Sequence, residues 1–253
     1  NVLRRAGRPY HFLTGYWKEP HVREALDGWF QAARVRRTLA NSSIGIIGNS
    51  MENMGDFGVD ETAFQTQLGL HVHHLSMQQI AKLAKDAPEG EIHVQMAADK
   101  EAFQVLPMVT ESQHEIAARL EWALRITMQT KKLLGFASHF FSVGEEGWLD
   151  SLPFLAASKL LGEGYSFGGE GDVTSVAAVT VLQLLVGQAN FTEIFTIDFG
   201  GGTVLMSHMG EGNWKMARED YPVFMRSDPF DMVPLRVNPV SLTFTLRPGP
   251  VTL

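Results

Sequence analysis

A chain of 253 residues is long enough to bury a sizeable core as one large or two ordinary domains, and 45% hydrophobic with 19% charged residues is the balance of a soluble globular protein, with no sign of a disordered chain. The formal net charge of −7 and the lack of a Lys/Arg cluster interleaved with aromatics argue against a nucleic-acid partner; the densest basic run, Arg34-Val35-Arg36-Arg37, reads as the solvated face of a helix. With no cysteine, disulfides and thiol chemistry are excluded, which suits a reducing compartment.

The chain opens on Asn1 with no signal-peptide pattern and reads as a piece of a longer polypeptide. From Pro20 to Leu39, apolar residues at Val22, Ala25, Leu26, Trp29, Phe30 and Ala33 have the spacing of one helix face. The run SIGIIGN at 43–49 predicts a buried strand whose C-terminal end opens into SMENMGDFGVDE, and such strand ends are where α/β proteins bind ligands. FQTQLGLHVHHLS at 64–76 alternates well enough for a strand; His71 and His73 would share a face, where a metal pair is the alternative, but with no carboxylate at a compatible spacing they read as hydrogen-bonded or half-exposed strand histidines.

Ser112 followed by Glu115 reads as a capping box opening a long helix that ends in Lys131, Lys132 and Gly135. A strand is expected at 135–143, then a helix from about Ser151 to Leu161 with Pro153 in its first turn. The apolar stretch at 175–187 is too short to cross a bilayer and contains Thr180 and Gln183; it predicts a buried helix capped by Asp172. Beyond Asn190 the texture changes to short alternating runs separated by Gly and Pro turns. Strands alternate with helices before a boundary near 189 and antiparallel β structure follows it, giving segments 1–42, 43–188 and 189–253.

Three side chains carry the strongest chemical signal. Glu170, in FGGEGD, has glycines on both sides that leave room for a ligand; a plain helix-capping role for Glu170 or Asp172 is the simpler alternative. Glu193 starts the strand EIFTIDF and His208 ends the strand TVLMSH after the turn DFGGGT, so a hairpin would make them neighbours. Two carboxylates and an imidazole meeting in one crevice suit Mn2+ or a comparable divalent ion. DFGGGT also looks like the phosphate loop of the actin and Hsp70-like ATPases, but no matching loop lies upstream, and the triple-glycine turn is read as a hairpin tip that sets His208 beside Glu193. Ser138-His139 and Ser207-His208 have no G-x-S-x-G elbow to make a hydrolase.

The segments GYSFGGEGDVTSVAAVTVLQLL, NFTEIFTIDF and VLMSHMGEGN, in that order, resemble those that supply the metal-binding glutamate, second glutamate and first histidine of L-arabinose isomerases. LRRAGRPYHFLTGYW, IGIIGNSMENMGDFGVDE and LPFLAASKLLGEGYSFGGEGD extend the resemblance over most of the chain. It implies a Rossmann-like or flavodoxin-like parallel-sheet central domain, preceded by the end of a first α/β domain and followed by the start of an antiparallel β-rich domain. It further implies a cytoplasmic, Mn2+-dependent aldose–ketose isomerase working through an enediol, a homohexamer, with Glu170 and Glu193 as ligating and proton-shuttling carboxylates and His208 as a metal ligand. Met51 and Val143 fall at substrate-binding positions. A fourth ligand histidine would lie beyond Leu253 and a first domain before Asn1, so the fragment alone is expected to be inactive. Glu52 stands where an arginine is common and Val143 where an aromatic is expected, which leaves the choice of aldose open and admits a non-catalytic sugar-binding relative as the alternative; an actin-like ATPase is the second.

Overall fold

A computed structural model describes residues 2–251. In chain order, a short helix α1 (Val2–Arg5) and the long α2 (Pro20–Leu39) lead to β1 (Ser43–Ile47), α3 (Glu61–Leu68), β2 (His71–Leu75), α4 (Met77–Lys85), α5 (Glu89–Ala102) and β3 (Gln104–Val105). Then come α6 (Glu111–Lys131), β4 (Leu133–Ser138), α7 (Phe140–Glu146), α8 (Phe154–Gly162), β5 (Ser166–Gly168) and α9 (Val173–Val186). Four short strands finish the chain: β6 (Glu193–Asp198), β7 (Thr203–Ser207), β8 (Phe224–Arg226) and β9 (Ser241–Thr243).

The centre is a parallel sheet in the order β2-β1-β4-β5, flanked by helices on both faces. Alternation along the strands explains the layering. Ile44 and Ile46 of β1 and Ala137 of β4 point to the layer containing Val35, Leu39, Phe64, Val173 and Val176. Ile47 and Phe136 point to the opposite layer, with Met77, Ile80, Leu120, Leu124 and Leu160. The fold is α/β, as the sequence predicts.

After Asn190 the chain forms the antiparallel hairpin β6–β7, with Glu193 opposite Ser207. A third sheet, β3-β8-β9, combines an antiparallel β8–β9 pair with a parallel β3–β8 pair. Antiparallel pairing is therefore present but not exclusive, because β8 lies beside β3 over the core of Phe103, Leu155, Met225 and Leu242.

Several local expectations are corrected. Residues 64–68 belong to α3: Asp60 accepts a hydrogen bond from Ala63 N, and Gly69 in the left-handed region (φ 85°) ends the helix. Only His71–Leu75 is strand, at the sheet edge, where His74 pairs with Glu61 and His71 with Gln65. The capping box of α6 lies two residues earlier, between Thr110 and Gln113. Gly135 sits inside β4, where a Cβ would come 2.2 Å from the Ser166 carbonyl oxygen, so its missing side chain serves strand approach rather than helix termination. Residues 140–146 are α7, not strand: the aromatic run suits a pleated surface locally, but Gly147 (φ 64°) closes a helical turn there. Pro153 is the N-cap of α8 rather than a first-turn residue. The Trp29 and Phe30 side of α2 is exposed; the buried positions of this helix are Val22, Val35 and Leu39.

The terminus of α6 yields one prediction. Lys132 takes the left-handed conformation (φ 53°, ψ 44°) with an exposed side chain, a geometry that costs a Cβ-bearing residue about 1–2 kcal/mol. Lys132→Gly should stabilise the intact parent protein by about 0.5–1 kcal/mol, part of the relief being offset by the freer unfolded chain. A higher urea midpoint is the expected reading; an unchanged or lower one would show that the lysine side chain contributes to the fold.

Candidate functional site

The C-terminal ends of β1, β4 and β5 open on one side of the central sheet, where parallel sheets gather their ligand-binding loops. The loop after β5 is locked against the loop after β1. Met51 N donates to the Glu170 carbonyl oxygen at 2.8 Å, and Ser50 Oγ donates to that of Gly171 at 3.0 Å. Gly171 (φ 72°) approaches so closely that a Cβ would lie 2.4 Å from the Asn49 carbonyl oxygen. Glu170 itself is held at φ 52°, ψ 17°, a strained position for a residue with a side chain, maintained by these clamps.

The hairpin brings the other groups. His208, just past β7, packs its ring edge-on against Phe191 at 4.7 Å between centroids and lies beside Gly169, where a Cβ would be 3.2 Å from His208 Cε1. His208 Nδ1 is 3.3 Å from Glu193 Oε2, and His208 Nε2 is 2.9 Å from Glu211 Oε2. The glycine turn at the far end is tied to its own side chain: Asp198 Oδ1 accepts from Gly200 N at 3.0 Å and Gly201 N at 2.9 Å. Amides that a phosphate would need are thus already engaged, as in an ordinary Asx turn.

Glu170, Glu193, His208 and Glu211 line one cavity of about 350 Å³, together with Met51, Ser138, Phe140, Phe154 and Phe230. Burial pushes the Glu170 carboxyl up to about 7; the nearby His208 opposes this and the Glu193, Glu211 and Asp172 charges add to it. Its Oε2 is buried without a hydrogen-bond partner. For His208, burial disfavours the charge, but the hydrogen bond and charge of Glu211, with Glu170 and Glu193, outweigh it and push the imidazole up to about 9. Burial also raises Glu211, against the pull of His208.

Among the described residues no three His, Asp or Glu side chains gather tightly enough to enclose a metal ion. The donor types nevertheless fit a divalent cation: two carboxylates and an imidazole line one cavity, and one carboxylate oxygen is buried and unpartnered. Four of the five sequence-predicted site residues, Met51, Glu170, Glu193 and His208, therefore meet in this cavity. Val143 does not; it is fully buried in α7, within the central core beside the cavity, because this segment is helical and turns the side chain inward. Glu211 escaped the sequence reading. Its signal was the His-x-x-Glu spacing followed by Gly212, and here the pairing forms through the turn at Gly210 (φ 113°).

Residues 44–188 match the family model of the L-arabinose isomerase central domain. An L-arabinose isomerase of Geobacillus kaustophilus is 27% identical over 217 residues, covering 82% of this chain and 43% of the relative. That of Serratia proteamaculans is 24% identical over 259 residues (97% and 50%), and that of Thermotoga neapolitana 28% over 219 residues (83% and 43%). The chain thus spans about half the length of the curated relatives it matches. With more than half of its residues inside the central-domain match and the surrounding sequence similar to the same enzymes, the chain belongs to the L-arabinose isomerase family.

Proposed function

We propose that the chain is the central portion of an aldose–ketose isomerase, dependent on Mn2+ or a similar divalent ion, that interconverts L-arabinose or a related aldose with its ketose through an enediol. The observation that carries this reading is the convergence of Glu170, from the central sheet, with Glu193 and His208, from the hairpin, on a single cavity. Glu170, Glu193 and His208 would hold the ion, which when bound supplies a positive charge for the substrate's O1 and O2 and for the negative charge that develops between them. One carboxylate takes the proton from C2 and returns it to C1, while the hydroxyl proton passes from O2 to O1 by way of the other. The apolar walls formed by Phe140, Phe154 and Phe230 limit water in the cavity.

The test is ketose formation by the full-length parent protein from L-arabinose and a small panel of other aldoses, with and without added Mn2+. Metal-dependent turnover is expected, and the panel ranks the substrates. No turnover on any sugar, with Mn2+ demonstrably bound, would replace this reading with that of a sugar-binding relative.

A further inference from the structure

Glu211 has no part in the proton transfers just described, yet it is the most enclosed carboxylate of the cavity: its side chain is 5% exposed, that of His208 7%, and that of Glu193 41%. Its bond to His208 is also the shorter, 2.9 Å against 3.3 Å. The backbone around Glu211 is anchored to α8 and to the segment that precedes the hairpin. Gly210 lies on the face of the Phe154 ring, where a Cβ would come within 2.9 Å, and Gly212 N donates to Ser158 Oγ of α8 at 3.1 Å. Asn213 N donates to Asn190 Oδ1 at 2.6 Å, and Asn213 Nδ2 to the Ala189 carbonyl oxygen at 2.9 Å. His208, by contrast, ends a hairpin whose strands are largely exposed.

We propose that Glu211 is a positioning residue: by accepting the Nε2–H of His208 it fixes the imidazole to α8 and presents Nδ1, on the Glu193 side, as the nitrogen that binds a divalent cation. A histidine that ligates through one nitrogen is commonly oriented by a carboxylate at the other, and loss of such a partner weakens metal binding by about 10–100-fold. The inference rests on the isomerase reading for the identity of the ligand, but it concerns ring orientation and not turnover.

The experiment is calorimetric titration of MnCl2 into the full-length parent protein and its Glu211→Ala, Glu211→Asp and Glu211→Gln variants, with thermal melts of the metal-free proteins alongside. A glutamine side chain is isosteric with the glutamate and its amide oxygen still accepts from Nε2–H, so Glu211→Gln should bind Mn2+ within a few-fold of the unsubstituted protein. Glu211→Asp keeps the charge but withdraws the acceptor by one methylene, so it should bind about 10–100-fold more weakly, as should Glu211→Ala. Equal affinity in all four proteins overturns the inference while leaving the isomerase reading intact. The opposite ranking, with Asp tight and Gln weak, overturns it in favour of a purely electrostatic role. The Asp and Gln pair decides the matter even if Glu211→Ala does not fold. An unsubstituted protein that binds no Mn2+ defeats the metal-dependent reading itself, and this inference with it.

Discussion

Glu170→Gln in the full-length parent protein is expected to lower isomerisation by about 10³–10⁴-fold, at the upper end of what a positioned acid–base group contributes, while leaving the protein at least as stable as before. The first half follows from the place of Glu170 in the cavity beside Glu193 and His208. The second follows from the sign of its proton linkage in the metal-free protein. Burial holds the Glu170 pKa near 7, above the value of an exposed glutamate, so the folded protein keeps a proton that the unfolded chain has released. The contribution of this group to stability is complete below about pH 4.5 and is lost as pH rises toward 7. A neutral amide of the same shape removes that loss, worth on the order of 1 kcal/mol once solvent screening at a partly buried carboxyl is allowed for. Initial rates of ketose formation and melting curves at pH 5 and pH 7 test both halves; retained turnover would remove Glu170 from the reaction.

Lys159→Met should be the most damaging substitution outside the cavity. The Lys159 ammonium, on α8, lies between Asp99 of α5 and Glu121 of α6, all three largely buried. Around them, His114 Nε2 is 3.0 Å from Asp99 Oδ2, Gln95 Nε2 donates to Glu121 Oε2 at 2.7 Å, and Arg125 Nη2 donates to Glu121 Oε1 at 2.7 Å. Removing the cation leaves two enclosed carboxylates in one pocket, and breaking a buried pair in this way costs about 3–5 kcal/mol. For a chain of this size the melting temperature should fall by on the order of 10 °C. Burial raises the Glu121 pKa and Lys159 opposes that rise. Without the lysine the rise is larger, so the loss of stability should grow with pH and be smaller at pH 5 than at pH 8. A loss below about 1 kcal/mol at pH 8 would mean that Arg125 alone balances Glu121.

The elements with long, regular signals were legible from the residues alone: α2 at both ends, β1, α9 behind Asp172, and the β6–β7 hairpin that makes Glu193 and His208 neighbours. What misled was local ambiguity. Phe140, Phe141 and Val143 favour a strand by type, and only their surroundings in the folded chain make them helical. Thr110 and Ser112 each begin a plausible capping box, and choosing between them requires knowing where the preceding chain lies. The cavity was legible as far as Glu170, Glu193, His208 and their glycine spacing went. Glu211 was not, because its partner is defined by a turn at Gly210 and an anchor on Ser158, which share no periodicity with His208.

The hairpin has a thermodynamic meaning beyond its geometry. Glu170 belongs to the central sheet's loop and Glu193 to the first residue of an exposed ribbon, so the cavity is a seam joining two separately built pieces. A cation or sugar that grips both sides acts as a clasp, and its binding free energy is added to the cohesion of the seam, about 2.7 kcal/mol at a hundredfold excess over its dissociation constant. Loosening the ribbon weakens the ligand only in proportion to the fraction of closed seam that is lost. A change at the distant glycine tip, between Gly200 and Gly202, would therefore alter binding only if it depopulated the closed seam, without touching the ligand.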